Sequence, residues 1–248
     1  MMTDENLAAG LAEGAGKLLL KLLLAKREGA LPPQIDLGVV ADKAANSFIL
    51  GALAESRPND AILSEESTDD RARTANPRCW IIDPLDGTRE YVEGRSDWAV
   101  HVALSIEGRP ALGAVALPAL KRLYRSDDKL AAAPRRAQPV IAVSRTRPPE
   151  IAPALAEALG AKLMAAGSAG AKAMAVVAGE ADLYFHAGGQ HQWDSCAPAA
   201  VALGLGLHAS RIDGSPLVYN GADTNVPDLL IGRPDLAERA IAFIAGRR

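Results

Sequence analysis

The chain has 248 residues, enough for one large domain or two packed lobes, with 49% hydrophobic and 23% charged residues, as in ordinary water-soluble folds. A net charge of -3 argues against non-specific binding to a nucleic-acid polymer, and 4% aromatic residues argue against a base-stacking platform. The two cysteines, Cys79 and Cys196, sit in apolar settings and read as buried free thiols of a reducing cytoplasm.

Asp4 to about Leu24 reads as an amphipathic helix with Leu7, Leu11, Leu18 and Leu22 on one side. Its leucine run is too short for a membrane span and lacks a small-residue cleavage pattern, so neither secretion nor a membrane anchor is expected. After a loop at 29–33, a second helix is expected from about Val39 to Glu55, ending before Arg57-Pro58. Asp42 then lies in its first turn, where a carboxylate suits the helix dipole. Ala61-Ile62-Leu63 is a short strand followed by Ser64-Glu65-Glu66-Ser67, which reads either as a helix cap or as acid placed at a strand end.

Cys79 to Ile82 is a second buried strand, and Asp83 stands where it stops. Such a carboxylate is costly to bury without a partner, and a bound cation is the usual one. Pro84 stiffens the turn, Asp86 follows, Gly87 permits close backbone approach, and Thr88 is placed to cap a helix opening at Arg89. Asp-x-x-Asp-Gly is also common turn composition. If the two strands are parallel neighbours, Glu65, Asp83 and Asp86 share one crevice beyond the strand ends, where open α/β sheets bind ligands. Trp98–Ile106, Ala111–Leu117 and Leu120–Arg125 read as an antiparallel set, and Ala131–Gln138 as a lobe boundary. The expected organisation is an α+β lobe over residues 1–135 and an α/β lobe over 136–248.

In the second lobe, strands at Val140–Val143, Leu163–Ala165, Leu183–Phe185 and Leu229–Ile231 alternate with helices at Ile151–Leu159, Ser168–Ala178, Ser195–Gly204 and Pro234–Ala245. Asp194 is placed as the N-cap of the Ser195 helix. Glu65, Asp83, Asp86 and Asp194 together match the oxygen-rich coordination of Mg2+, whereas the scattered histidines give no zinc pattern. His101 reads as a core histidine. Gly167-Ser168-Ala169-Gly170-Ala171-Lys172 offers exposed N–H groups to an anion or, alternatively, close helix–strand packing. Ser144-Arg145-Thr146-Arg147 is a basic turn that suits a second phosphate or simply solvent.

Trp80-Ile-Ile-Asp83-Pro-Leu-Asp86-Gly-Thr88, with Ser64-Glu65-Glu66-Ser67 before it and Trp193-Asp194 after it, resembles the inositol monophosphatase superfamily of Mg2+-dependent, lithium-sensitive phosphatases. The resemblance implies the layered α/β/α/β/α sugar-phosphatase fold. It implies metal ligation of two or three Mg2+ by Glu65, Asp83, Asp86, Asp194 and the Leu85 carbonyl. Asp42, Thr88 and Glu65 would then be the catalytic group, with Asp42 and Thr88 orienting a metal-activated water. Asp83-Pro-Leu-Asp-Gly-Thr-Arg-Glu, Ser144-Arg145, Gly167-Ser168 with Lys172 and Gly214-Ser-Pro-Leu-Val-Tyr-Asn220 look most like the bacterial 3'(2'),5'-bisphosphate nucleotidases of the CysQ type. Gly87, Thr88 and Arg89 are thereby expected to touch substrate. Asp194, Ser144, Arg145, Gly167, Ser168 and Lys172 are expected to do so from the other lobe.

Two departures stand out. The usual Asp-x-x-x-Glu reads Asp42-Lys-Ala-Ala-Asn46. Where inositol phosphatases carry a sugar-holding glutamate before Trp193-Asp194, this chain reads His186-Ala-Gly-Gly-Gln-His-Gln. The implied reaction is hydrolysis of 3'-phosphoadenosine 5'-phosphate to AMP and phosphate, a clearance step in sulfate assimilation. The alternative is an inositol-1-phosphatase or fructose-1,6-bisphosphatase on the same scaffold. A non-catalytic metal or nucleotide-binding regulator would need a missing ligand, and none is missing. The family's usual homodimer is implied as well.

Overall fold

The computed structural model describes residues 2–69, 71–130 and 134–247. Ala131–Ala133, the start of the anticipated lobe boundary, therefore lie outside the described residues. Thr3 accepts the Asn6 N–H and opens helix α1 (Asp4–Arg27). Asp36 accepts the Val39 N–H and opens α2 (Leu37–Ser56). The capping carboxylate is thus Asp36, and Asp42 falls in the second turn instead of the first. Among the described residues, α2 alone is long and apolar enough to cross a membrane. It is packed as a core helix, with Ala41, Ala45, Ile49 and Leu53 buried and with Asp42 and Asn46 buried beside them.

The first sheet runs in the order β1 (Ala61–Ser64), β2 (Arg78–Asp86), β3 (Ala99–Ile106), β4 (Arg109–Leu117), β5 (Arg122–Arg125). β1 and β2 are parallel, and the remaining pairs are antiparallel. β2 continues past Ile82, where the sequence suggests a stop. Asp83 still pairs with His101 and Asp86 with Ala99, across an irregularity at Pro84, which has no N–H to give the ladder. Gly87 follows in a left-handed conformation (φ 90°), so the short helix α3 (Thr88–Val92) starts on a glycine and not on a Thr88 side-chain cap.

The second sheet comprises β6 (Val140–Ser144), β7 (Lys162–Ala166), β8 (Leu183–His191), β9 (His208–Ser210) and β10 (Asn225–Gly232), in the order β7-β6-β8-β10-β9. β6 is parallel to β7 and β8; β8, β10 and β9 are antiparallel. The helices are α4 (Ala152–Leu159), α5 (Ala169–Val177), α6 (Gln192–Gly204) and α7 (Pro234–Ala245). β8 extends well beyond Phe185 because β10 pairs with it to His191. Glycines in that extension hide it from strand propensity.

Alternation along the strands sorts the core into layers. Trp80 and Ile82 pack with α1 and α2, whereas Cys79 and Ile81 pack with α5 and α6. Tyr184 faces the same α5–α6 layer from the second sheet, while Leu183 and Phe185 pack with α4 and α7. The result is α/β/α/β/α, the layering that the resemblance implies. β2 is buried on both faces, so it reads as a nearly continuous apolar run. The central core draws side chains from both halves of the chain.

Arg78 ties the start of α1 to β2, reaching Asp60 at 2.8 Å and Asp4 at 2.9 Å. Burial pushes both aspartates up, but the arginines beside them outweigh it and hold both below the ordinary 3.8. Carboxyls lowered in this way contribute stability above 3.8 that is lost as the pH falls through their folded values. Arg78 is 34% exposed, so Arg78→Ala should cost about 1 kcal/mol at neutral pH, and nearly nothing in acid where both carboxyls are protonated. Urea midpoints at the two pH values check this. An equal loss at both would assign the effect to the packing of the arginine stem.

Candidate active site

The parallel β1–β2 pair brings two strand ends to one place. The Glu65 N–H, just beyond β1, donates to the Ile82 carbonyl at 3.3 Å. Asp83 and Asp86 end β2, and Asp194 arrives from the first turn of α6. Asp83, Asp86 and Asp194 each present an oxygen within 4.8 Å of the others. Asp194 is the third residue of α6, not its cap, and accepts the His191 N–H at 2.6 Å. Asp42 enters from α2 with its Oδ2 3.4 Å from the Thr88 hydroxyl, which also lies 3.2 Å from the Leu85 carbonyl. One hydroxyl proton therefore serves two acceptors. Asn46, at the first departure from the family pattern, accepts from the Ser64 hydroxyl at 2.7 Å and donates to Ser67 at 3.3 Å. It pins the turn that carries Glu65, and residues 65–67 form that turn instead of a helix capped by Ser64.

These carboxylates repel one another. Burial, then the charges of Glu65, Asp86 and Asp194, raises Asp83 far above its ordinary value. Burial and Asp86 raise Asp194. Burial, then Glu66 and Glu65, pushes Asp42 up to about 8 against the Thr88 hydrogen bond. Desolvation, then the charges of Asp194 and Asp86, raises Glu65 to about 7. Glu65 is open to solvent at the rim, so the repulsion is the part of that rise that the geometry supports. Asp42 Oδ1 is buried without a partner. An all-oxygen, crowded and under-partnered donor set of this kind fits a hard divalent cation such as Mg2+.

Asp86 behaves differently. Burial raises it, but His101, the Gly170 N–H and Lys172 outweigh that and hold it below its ordinary value. Ser168 caps α5, and the next N–H groups, of Ala169 and Gly170, donate to Asp86 at 3.1 and 2.6 Å. The Gly167–Lys172 loop therefore cradles a carboxylate where the sequence suggests a substrate anion. Lys172 is buried, donates to the Gly167 carbonyl and, at 2.6 Å, to the Ser168 carbonyl, and is lowered to about 8 by burial. His101 is the buried strand histidine that the sequence suggests, and its ring stands between Asp86 and the Trp193 carbonyl.

A cavity of about 550 Å³ opens beside the cluster, with Asp86 and Asp194 at one side. Gly87, Thr88 and Arg89 line it, as do Gly167, Ser168 and Lys172. Of the basic turn after β6, Ser144, Thr146 and Arg147 face the cavity. Arg145 does not: its guanidinium is held by Glu90 at 2.8 Å and Glu93 at 3.2 Å. His186 and Gln190, at the second departure, complete the wall, and burial, then Lys172, lowers His186 to about 4, leaving it neutral. Only their place in that departure flags them in the sequence.

The inositol monophosphatase family model matches residues 3–242. The chain belongs to the inositol monophosphatase family. The 3'-phosphoadenosine 5'-phosphate phosphatase of Mycobacterium leprae is 50% identical to it over 257 residues, covering 98% of this chain and 94% of the relative. The 3'(2'),5'-bisphosphate nucleotidase CysQ of Escherichia coli is 30% identical over 191 residues, covering 72% and 78%. Among solved structures, inositol monophosphatase-II of Staphylococcus aureus superimposes with a TM-score of 0.77 at 22% identity, over 96% of each chain. CysQ of Bacteroides thetaiotaomicron gives 0.75 at 24% identity, over 92% of this chain and 96% of its own. At such identities the structures establish the fold.

The raised carboxyls of this inositol monophosphatase family member set the sign of a pH effect. A carboxyl raised on folding costs stability above its ordinary value, and that cost is fully present above the raised value. The metal-free protein should gain thermal stability as the pH falls through about 8, the value to which burial and the neighbouring glutamates push Asp42. Asp83→Asn should raise the metal-free melting temperature at neutral pH and abolish stabilisation by added Mg2+. Melts in chelator and in Mg2+ test both halves. A metal-free variant less stable than wild type would mean that Asp83 is not held against repulsion.

Proposed function

We propose that the chain is a Mg2+-dependent phosphomonoesterase that hydrolyses 3'-phosphoadenosine 5'-phosphate to AMP and phosphate. The observation that carries this reading is a single cavity lined both by Asp86 and Asp194 of the all-oxygen acidic cluster and by Arg89 and Arg147. A bisphosphate uses both; a monophosphate has nothing for the second. The name of the half-identical mycobacterial relative supports the same choice.

Glu65, Asp83, the Leu85 carbonyl, Asp86 and Asp194 would hold two or three Mg2+. Bound there, the ions would lower the pKa of water and neutralise charge on the phosphoryl and leaving oxygens. The Thr88 hydroxyl accepts a proton from the attacking water and passes its own to Asp42 Oδ2. The water oxygen bonds to phosphorus, the P–O3' bond breaks, and the ribose oxygen leaves to be protonated. The N–H groups of Gly87 and Thr88 hold phosphoryl oxygens. Arg147, with Ser144 beside it, meets the retained 5'-phosphate. We assign the enzyme to the cytoplasm as a lithium-sensitive homodimer that clears a by-product of sulfate assimilation.

Turnover of 3'-phosphoadenosine 5'-phosphate, inositol-1-phosphate and fructose-1,6-bisphosphate in Mg2+ tests the substrate, and a preference for either of the last two would sink it. Arg147→Ala should raise KM for 3'-phosphoadenosine 5'-phosphate by about ten- to a hundredfold, the loss of one charge-assisted contact, and leave inositol-1-phosphate nearly unchanged. Arg145→Ala should move KM little, because its partners are Glu90 and Glu93. The opposite ranking of the two arginines would return the second phosphate to Arg145.

A further inference from the structure

Asp86 is the most heavily supported carboxylate of the cluster. A carboxylate has about four lone-pair sites, two on each oxygen. Oδ1 takes the Ala169 N–H at 3.1 Å. Oδ2 takes the Gly170 N–H at 2.6 Å and lies 3.2 Å from His101 Nε2. His101 is fully buried on β3, and its Nδ1 lies 3.0 Å from the carbonyl of Trp193, the residue before Asp194. The Trp193 carbonyl only accepts, so Nδ1 is the nitrogen that donates to it. The Nε2 contact is off the alignment of a hydrogen bond, and the edge of the ring packs against Oδ2. Gly170 makes room for it, since a Cβ there would collide with His101 Nε2 and crowd Asp86 Oδ2.

We propose that His101 is a positioning residue that closes Oδ2 of Asp86, leaving that carboxylate one free lone pair, on Oδ1, for a cation. The inference rests on the metal reading of the acidic cluster. With the Gly170 N–H at 2.6 Å and the His101 ring at 3.2 Å from Oδ2, a cation approaching that oxygen meets an occupied lone pair and a buried ring in its path. A carboxylate confined to one oxygen suits a small octahedral ion such as Mg2+, whereas Ca2+ takes more ligands and accepts carboxylates through both oxygens. His101 thereby favours Mg2+ over Ca2+. Its other nitrogen holds the backbone next to Asp194, so one ring sets the orientation of two ligands, one on β2 and one on α6.

Calorimetric titration of Mg2+ and of Ca2+ into the metal-free protein tests this without reference to turnover. His101→Leu and His101→Asn remove the contact with Oδ2, and His101→Gln keeps an N–H long enough to reach it. The first two should weaken Mg2+ binding by about ten- to a hundredfold, the usual loss when a partner of a metal ligand is removed. They should weaken Ca2+ less, so that the ratio of the two dissociation constants shifts toward Ca2+, and His101→Gln should retain most of the wild-type ratio. Metal-free melts report whether each variant folds, and if the leucine variant does not, the asparagine–glutamine comparison decides. A wild-type preference for Mg2+ that persists unchanged in every variant would reduce His101 to a core residue and leave the metal reading standing. A wild-type protein that binds neither ion would overturn both.

Discussion

Like charge confined at the end of a parallel strand pair is the constraint from which the rest of this structure follows. Asp83 is 1% exposed and Asp86 6% exposed, with oxygens within 4.8 Å of each other in a medium where such charges repel strongly. The fold answers with donors. Two helices of the middle layer begin at the cluster: α5 gives two N–H groups to Asp86, and the first turn of α6 carries Asp194, itself held by the His191 N–H. Both helices direct their positive ends at the carboxylates, which lowers the cost of keeping them together. The residual repulsion is what a divalent cation would remove.

The five-layer arrangement is the means to that end. With α5 and α6 between the sheets, one set of helix starts lies against β2 and β3 while its other side packs on the second sheet. α2, outside the first sheet, then reaches the same point from behind with Asp42 and pins the Glu65 turn through Asn46. Arg145 bridges Glu90 and Glu93 on the α3 side, fastening the turn after β6 to the first half of the chain. The cleft between the halves is therefore braced by ion pairs as well as by the shared core.

Polarity divides the cavity by chemistry. Asp86 and Asp194 suit cations and the phosphate they hold, while Arg89 and Arg147 bring positive charge to the same lining. Lys172 lines the cavity as well, with its ammonium held by two carbonyls at the start of α5. Neutral His186 and Gln190, from the stretch before Trp193-Asp194, add uncharged donors and acceptors to the cavity wall.

Local chemistry by itself determined a good deal. The apolar periods of α1, α2 and the strands, the acid at the ends of β1 and β2, and the Pro84 and Gly87 punctuation are properties of short stretches, and each is legible without a fold. The family's motifs add the layering, because three separated stretches match together. What lay beyond reach depends on neighbours distant in sequence. β2 outlasts Ile82, and β8 outlasts Phe185, because β3 and β10 continue to pair with them. His101 looks like any core histidine until Asp86 and the Trp193 carbonyl arrive on either side of it. Of two arginines two residues apart, only the partners available to each decided which faces the cavity: Glu90 and Glu93 take Arg145 away, and Arg147 remains on the wall. A sequence states which charges exist, and tertiary structure decides which are already neutralised when a ligand comes.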